Sequence, residues 1–124
     1  MTDVTGVDFV AIQTRDHDAA AKFYGETLGL PFLKRWGNMP ASEFQAGNLT
    51  LAVMQSDAFG FEWTPSGTMI ALRVDDVQAA RKRLEDAGVP FRGDILDSGV
   101  CFQAFFADPD GNPLALHHRY ATTE

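Results

Sequence analysis

Asp108-Pro109-Asp110-Gly111-Asn112-Pro113 is followed by Leu114-Ala115-Leu116-His117-His118-Arg119-Tyr120, and this stretch decides the fold. Its first half is dense in turn chemistry. Pro109 presets φ, Gly111 permits positive φ, and Asp108, Asp110 and Asn112 can bond their own backbone. Asp108 and Asp110 are therefore read as caps of backbone amides rather than as a proton-transferring pair. The second half reads as a strand whose alternate residues face opposite ways. Before the turn, Val100-Cys101-Phe102-Gln103-Ala104-Phe105-Phe106 is an aromatic-rich run of strand type. Together they predict a hairpin.

Upstream of that hairpin the chain repeats itself. Phe9–Thr14 reads as a strand, Asp16 as a helix N-cap, and His17 to Leu28 as a helix ended by Gly29. Further strands are predicted at Leu30–Trp36, Ser42–Ala46 and Leu49–Gln55. The pattern restarts at Met69–Val74, with Asp76 as N-cap and a helix marked by Ala79, Ala80, Leu84 and Ala87. At a shift of 60, Ala11 matches Ala71, Asp16 matches Asp76, Ala19-Ala20 matches Ala79-Ala80 and Lys22 matches Lys82. One residue is then dropped, after which Gly29-Leu30-Pro31-Phe32 matches Gly88-Val89-Pro90-Phe91. This is an internal duplication. Each half reads β-α-β-β-β, the halves spanning about residues 7–56 and 68–120 of a single domain. Half a sheet with one helix cannot cover its own apolar face, so the two units are predicted to pack about a pseudo-twofold axis. Residues 57–67 between them carry Phe59, Phe61 and Trp63, and read as a loop or lid.

The composition excludes several function classes. A chain of 124 residues with 45% hydrophobic content supports one ordinary core. A net charge of −7 argues against nucleic acid, whose backbone wants clustered Lys and Arg. It fits a soluble surface or the attraction of a cationic ligand. No apolar run approaches the roughly 18 residues of a membrane span. Met1–Thr5 has neither the basic start nor the apolar stretch of a secretory leader. Cys101 is the single cysteine, which rules out an internal disulfide and fits a reducing cytoplasm.

Three motifs join the duplication: Phe23-Tyr24-Gly25-Glu26-Thr27-Leu28-Gly29-Leu30, Val74-Asp75-Asp76-Val77, and the Asp108–Pro113 turn. With them, residues 7 to 120 resemble the vicinal-oxygen-chelate superfamily of glyoxalases, extradiol dioxygenases and fosfomycin- and bleomycin-resistance proteins. The resemblance implies an α+β fold of two paired βαβββ modules, whose eight strands form a cup-shaped mixed sheet around a ligand. It also implies a homodimer, with the modules paired within one chain or swapped between two. Enzymes of this superfamily usually hold a divalent metal with His, Gln or Glu on the first and fifth strands and Glu or His on the fourth and eighth. The matching positions here are Phe9, Ala52, Met69 and Ala115. Phenylalanine and alanine have no donor atom, and a lone thioether is a soft ligand. No metal or other cofactor is predicted.

Among the histidines, His17 follows the N-cap and is predicted on an exposed first turn. His117 lies two residues beyond Ala115 and shares its inward face, either as a hydrogen-bonding handle, acid or base, or as a structural residue at the rim. His118 points the other way. Arg73 lies on the face of Met69, where it either meets a ligand oxygen, carboxylate or ring, or extends to solvent. Arg119 continues the face of Ala115 and His117. Cys101 reads as a buried small hydrophobe. Trp36, Phe44, Phe61 and Trp63 are candidates for stacking on a flat ligand or for plain core contact. There is no Gly-rich phosphate loop, nucleophile elbow or paired-cysteine site.

The candidate ligand-binding residues are thus Phe9, Trp36, Phe44, Phe61, Trp63, Met69, Arg73, Ala115 and His117. The expected function is metal-free binding of an aromatic or cationic small molecule, of the kind by which bleomycin-resistance proteins sequester their ligand. The alternative is a glyoxalase-, isomerase- or dioxygenase-like enzyme in which His117 is the candidate catalytic group. A third is a module regulating a partner protein through an exposed sheet surface.

Overall fold

The computed structural model describes residues 3–122. The Met1–Thr5 stretch read against a secretory leader lies partly outside the described residues. The chain divides after Thr64 into two compact units. The first carries β1 (Val10–Thr14), α1 (His17–Lys22), a π-helical turn (Phe23–Thr27), β2 (Phe32–Arg35), β3 (Ala41–Ala46), β4 (Leu49–Gln55) and a 3₁₀ turn (Ser56–Phe59). The second carries β5 (Ile70–Arg73), α2 (Val77–Asp86), β6 (Arg92–Asp97), β7 (Cys101–Ala107) and β8 (Pro113–Arg119). Each unit holds one four-stranded mixed sheet, ordered β1-β4-β3-β2 and β5-β8-β7-β6. The first strand of each runs parallel to the last, and the other pairs are antiparallel. This is the predicted α+β fold, βαβββ twice. Among the described residues, no helix is long and apolar enough to cross a membrane.

The same local chemistry builds both halves. Asp16 accepts from the Ala19 amide at 3.2 Å, and Asp76 from the Ala79 amide at 3.0 Å, so each caps a helix N-terminus. At the other end the chain reverses through Gly29 and Gly88, both at positive φ. The following amides reach back to Tyr24 and Leu84 carbonyls at 3.0 and 2.9 Å. The residue dropped from the repeat has a structural counterpart. Lys22 to Gly29 spans seven positions and Lys82 to Gly88 spans six. The first unit places its extra residue in the π turn, where the Leu28 amide reaches the Phe23 carbonyl five residues back at 2.8 Å.

Gly25 sits in that π turn, pressed on the core. A Cβ there would lie 3.0 Å from the Phe44 ring, which is buried between Tyr24 and Phe32. Gly25→Ala is expected to destabilise the protein by about 1–3 kcal/mol in urea denaturation, because the buried Phe44 ring must shift to admit the methyl group.

In each unit the helix covers one sheet face. Ala20, Phe23 and Tyr24 bury Ile12, Phe44, Leu51 and Val53 in the first. Val77, Ala80 and Leu84 bury Ala104, Phe106, Leu114 and Leu116 in the second. His17 corrects the expectation of an exposed histidine: it is 5% exposed, with Nε2 2.8 Å from the Ser42 hydroxyl. Its amide donates to the Gln55 side chain at 3.0 Å. Both partners are distant in sequence, so local position alone could not bury it. The linker also begins differently from a plain loop, because Ser56–Phe59 closes a 3₁₀ turn capped by Gly60 at φ +78°. Strand limits move as well: β1 starts at Val10, β2 is shorter than Leu30–Trp36, and β5 is confined to Ile70–Arg73.

The Asp108–Pro113 turn is built as read. Asp108 Oδ1 accepts from the Asp110 and Asn112 amides at 2.9 Å each, and its Oδ2 from Asn112 Nδ2 at 2.9 Å. Gly111 takes φ +87°. Just past β8, the Tyr120 hydroxyl donates to Asp97 Oδ1 at 2.6 Å, and the Gly99 amide adds a second donor at 2.9 Å. The phenol bond, then the amide bond, hold Asp97 below its ordinary pKa, and the bond to Asp97 raises that of Tyr120. The Asp97 contribution to stability is present above the ordinary carboxylate pKa and fades as pH falls through its lowered value. The Tyr120 contribution is present below the ordinary phenol pKa and fades as pH rises through its raised value. Tyr120→Phe is expected to move the Asp97 titration midpoint upward, measured by carboxyl ¹³C NMR.

Candidate functional site

The sheet face turned away from the helix carries the candidate residues, and each unit presents its own. In the first unit the pairings Ala11–Ala52–Glu43–Lys34 and Gln13–Met54–Ala41 run across that face. At its margin Trp36 meets Phe9 edge-on at 5.5 Å between ring centroids and Phe59 at 6.0 Å. The Trp36 indole N–H donates to Glu43 Oε2 at 2.6 Å, fixing a carboxylate beside three aromatic rings. Nearby in sequence, Phe61 is exposed. The Arg15 guanidinium stacks 4.1 Å over the Trp63 ring. The Trp63 Nε1 is shielded and has no hydrogen-bond partner among the described residues.

Phe44 does not belong with these. It pairs with Leu51, lies on the helix face at 2% exposure, and contacts Tyr24 and Phe32. Strand alternation sends it opposite to Glu43. The structure thus moves Phe44 from the candidate ligand residues to the core.

In the second unit, Ala71–Ala115–Phe105 and Arg73–His117–Gln103 form successive rows on the face away from α2. Met69 precedes the strand and is exposed. Arg119 follows on the same face, opposite buried Cys101. His118 pairs with Phe102 on the helix side, as its alternation predicts. Sequence reading did not single out Gln103 as a partner of His117, Glu43 as the acid bonded to Trp36, or Phe59 as the third ring. For Glu43 and Gln103 the signal was available, since strand alternation places them beside Ala52 and His117 once the pairing is known.

The metal positions implied by the resemblance can be tested on these faces. Ala52 and Ala115 are fully buried in central strands and offer no donor. Phe9 is engaged with Trp36, and Met69 offers one thioether. A catalytic divalent site needs about three protein ligands and an open position. Among the described residues no group of three or more His, Cys, Asp or Glu is placed to hold a metal ion. The residues present do not fit such an ion.

The family model of the Glyoxalase/Bleomycin resistance protein/Dioxygenase superfamily matches residues 6–116. The chain belongs to this superfamily. Several solved structures share its architecture. TnmS3, described as an antibiotic binding protein from Streptomyces sp. CB03234, is 27% identical, with 96% of this chain and 99% of that chain covered and a TM-score of 0.78. A glyoxalase family protein from Enterococcus faecalis is 26% identical over 91% of this chain and 97% of its own, with a TM-score of 0.73. Lactoylglutathione lyase from Agrobacterium tumefaciens, at 18% identity, covers 94% and 95% with a TM-score of 0.75, and shows the shared fold alone. No curated protein sequence matches the chain.

Proposed function

We propose that this superfamily member is a small-molecule binding protein, which holds an aromatic or cationic compound without a resident metal ion and without transforming it. The observation that carries this reading is the Phe9–Trp36–Phe59 cluster with the Glu43 carboxylate pinned to its edge. Aromatic rings offer stacking area to a flat ligand, and a carboxylate among them favours a cationic group. The net charge of −7 attracts such a ligand from a distance. TnmS3 being an antibiotic binding protein adds support from a relative at 27% identity. Phe61 and Trp63 extend the proposed ligand contacts of the first unit, and exposed Met69 offers one on the second. The single cysteine supports action in the cytoplasm. Exposed Phe32 and Leu33 on edge strand β2 and Leu96 on edge strand β6 support a homodimer, to be checked by light scattering.

Isothermal titration with proflavine, a flat cation, and with anthraquinone, a flat neutral compound, tests the function. Saturable binding of either is expected. Binding of neither, together with turnover of a metabolite, overturns it. One observation favours an enzymatic second reading of glyoxalase or isomerase type: His117 is flanked by Arg73 and Gln103, an acid or base beside two oxygen-binding groups. Turnover abolished by His117→Gln is its signature.

A further inference from the structure

The second unit presents a different chemistry on its helix-free face. Arg73, His117 and Gln103 occupy one row across β5, β8 and β7, as directly paired residues on neighbouring strands about 4.8 Å apart. Arg119 lies two residues beyond His117, on the same face and roughly 7 Å along the strand. Arg73 and Arg119 are exposed, while His117 and Gln103 are half-buried. None of the four side chains has a hydrogen bond or ion pair among the described residues. No Asp or Glu stands on this face of β5, β7 or β8. On these three strands, in a chain with 17 acidic residues against 10 basic ones, two guanidiniums and an imidazole are therefore placed together with no acid among them.

Such a row has one evident complement. Guanidinium groups bind planar oxyanions through paired N–H donors, and the imidazole and amide supply further donors on the same line. Phe105 on the same face gives the ligand an apolar floor. We infer that the face built by Arg73, His117, Gln103 and Arg119 binds an anionic oxygen group, a carboxylate in the first instance, carried by an aromatic ligand. This deepens the binding reading above and rests on it only in that the protein binds a small aromatic molecule. It adds a site for negative charge that neither the acidic composition nor the Glu43 cluster foretells.

The test uses two probes of equal size and opposite charge, 2-naphthoate and 2-naphthylmethylammonium, titrated into the full chain. Arg73→Met is exposed and is checked for folding by circular dichroism. It is expected to weaken 2-naphthoate binding at least about tenfold, the loss of one charge-assisted contact, and to change ammonium binding less than about twofold. Addition of 2-naphthoate, and not of the ammonium, is expected to shift the His117 ring resonances. Unchanged naphthoate affinity in Arg73→Met overturns the inference, as does an equal fall for both probes. Binding of the ammonium alone overturns it too while leaving the binding reading intact. Binding of neither probe, nor of proflavine or anthraquinone, overturns both.

Discussion

Trp36→Ala is expected to weaken proflavine binding by about 30- to 100-fold, or 2–3 kcal/mol, while the protein stays folded. Trp36 follows the edge strand β2 and is only half-buried, so its removal opens no deep cavity. It is nevertheless the hinge of the proposed contact surface. Its ring touches both Phe9 and Phe59, and its N–H holds Glu43 at 2.6 Å. Deleting it removes stacking area, frees two neighbouring rings to reorient, and releases the carboxylate. Trp36→Phe separates these effects. It keeps a ring between Phe9 and Phe59 and loses only the hydrogen bond, and is expected to cost about 1 kcal/mol of affinity. Titration calorimetry of both variants reads the difference.

Phe44→Ala is expected to do the reverse. The ring is 2% exposed, packed between Tyr24, Phe32 and the π turn at Gly25. Removing it leaves a cavity that a glycine turn and two aromatic neighbours cannot refill, for a loss of about 3–5 kcal/mol in denaturant unfolding. Proflavine affinity of the folded fraction is expected to stay within about twofold of the parent protein, since strand alternation puts Phe44 behind the sheet from Trp36. The two aromatics read alike in sequence. Their variants are expected to fail in opposite assays.

Much of the scaffold was legible in the sequence because it is written in local chemistry. Asp16 and Asp76 announce the helix starts, the Asp108–Pro113 run announces its turn, and the offset of 60 exposes the duplication. The single dropped residue was also visible, although its cause, a π turn in one half only, needs backbone coordinates. What stayed hidden depends on partners far along the chain. His17 is buried by Ser42 and Gln55, and nothing within a helical turn of it indicates that. Phe44 was misplaced because its face is set by the register with β4, which short apolar runs do not specify. On the candidate site, strand alternation assigned Arg73 and His117 their faces, and their side-by-side placement needed the β5–β8 register. Gln103 needed the β7–β8 register, and Glu43 needed the Trp36 contact.

The scaffold and its usual chemistry separate at four positions. The superfamily's fold is present, while Phe9, Ala52, Met69 and Ala115 give a divalent ion too few donors. Recognition by this protein is proposed to need only side chains. Titration of proflavine into protein stripped with EDTA tests it most directly, repeated after adding nickel or zinc. One saturable site with the same Kd in both conditions is expected. Binding that appears only after the metal is restored would contradict it.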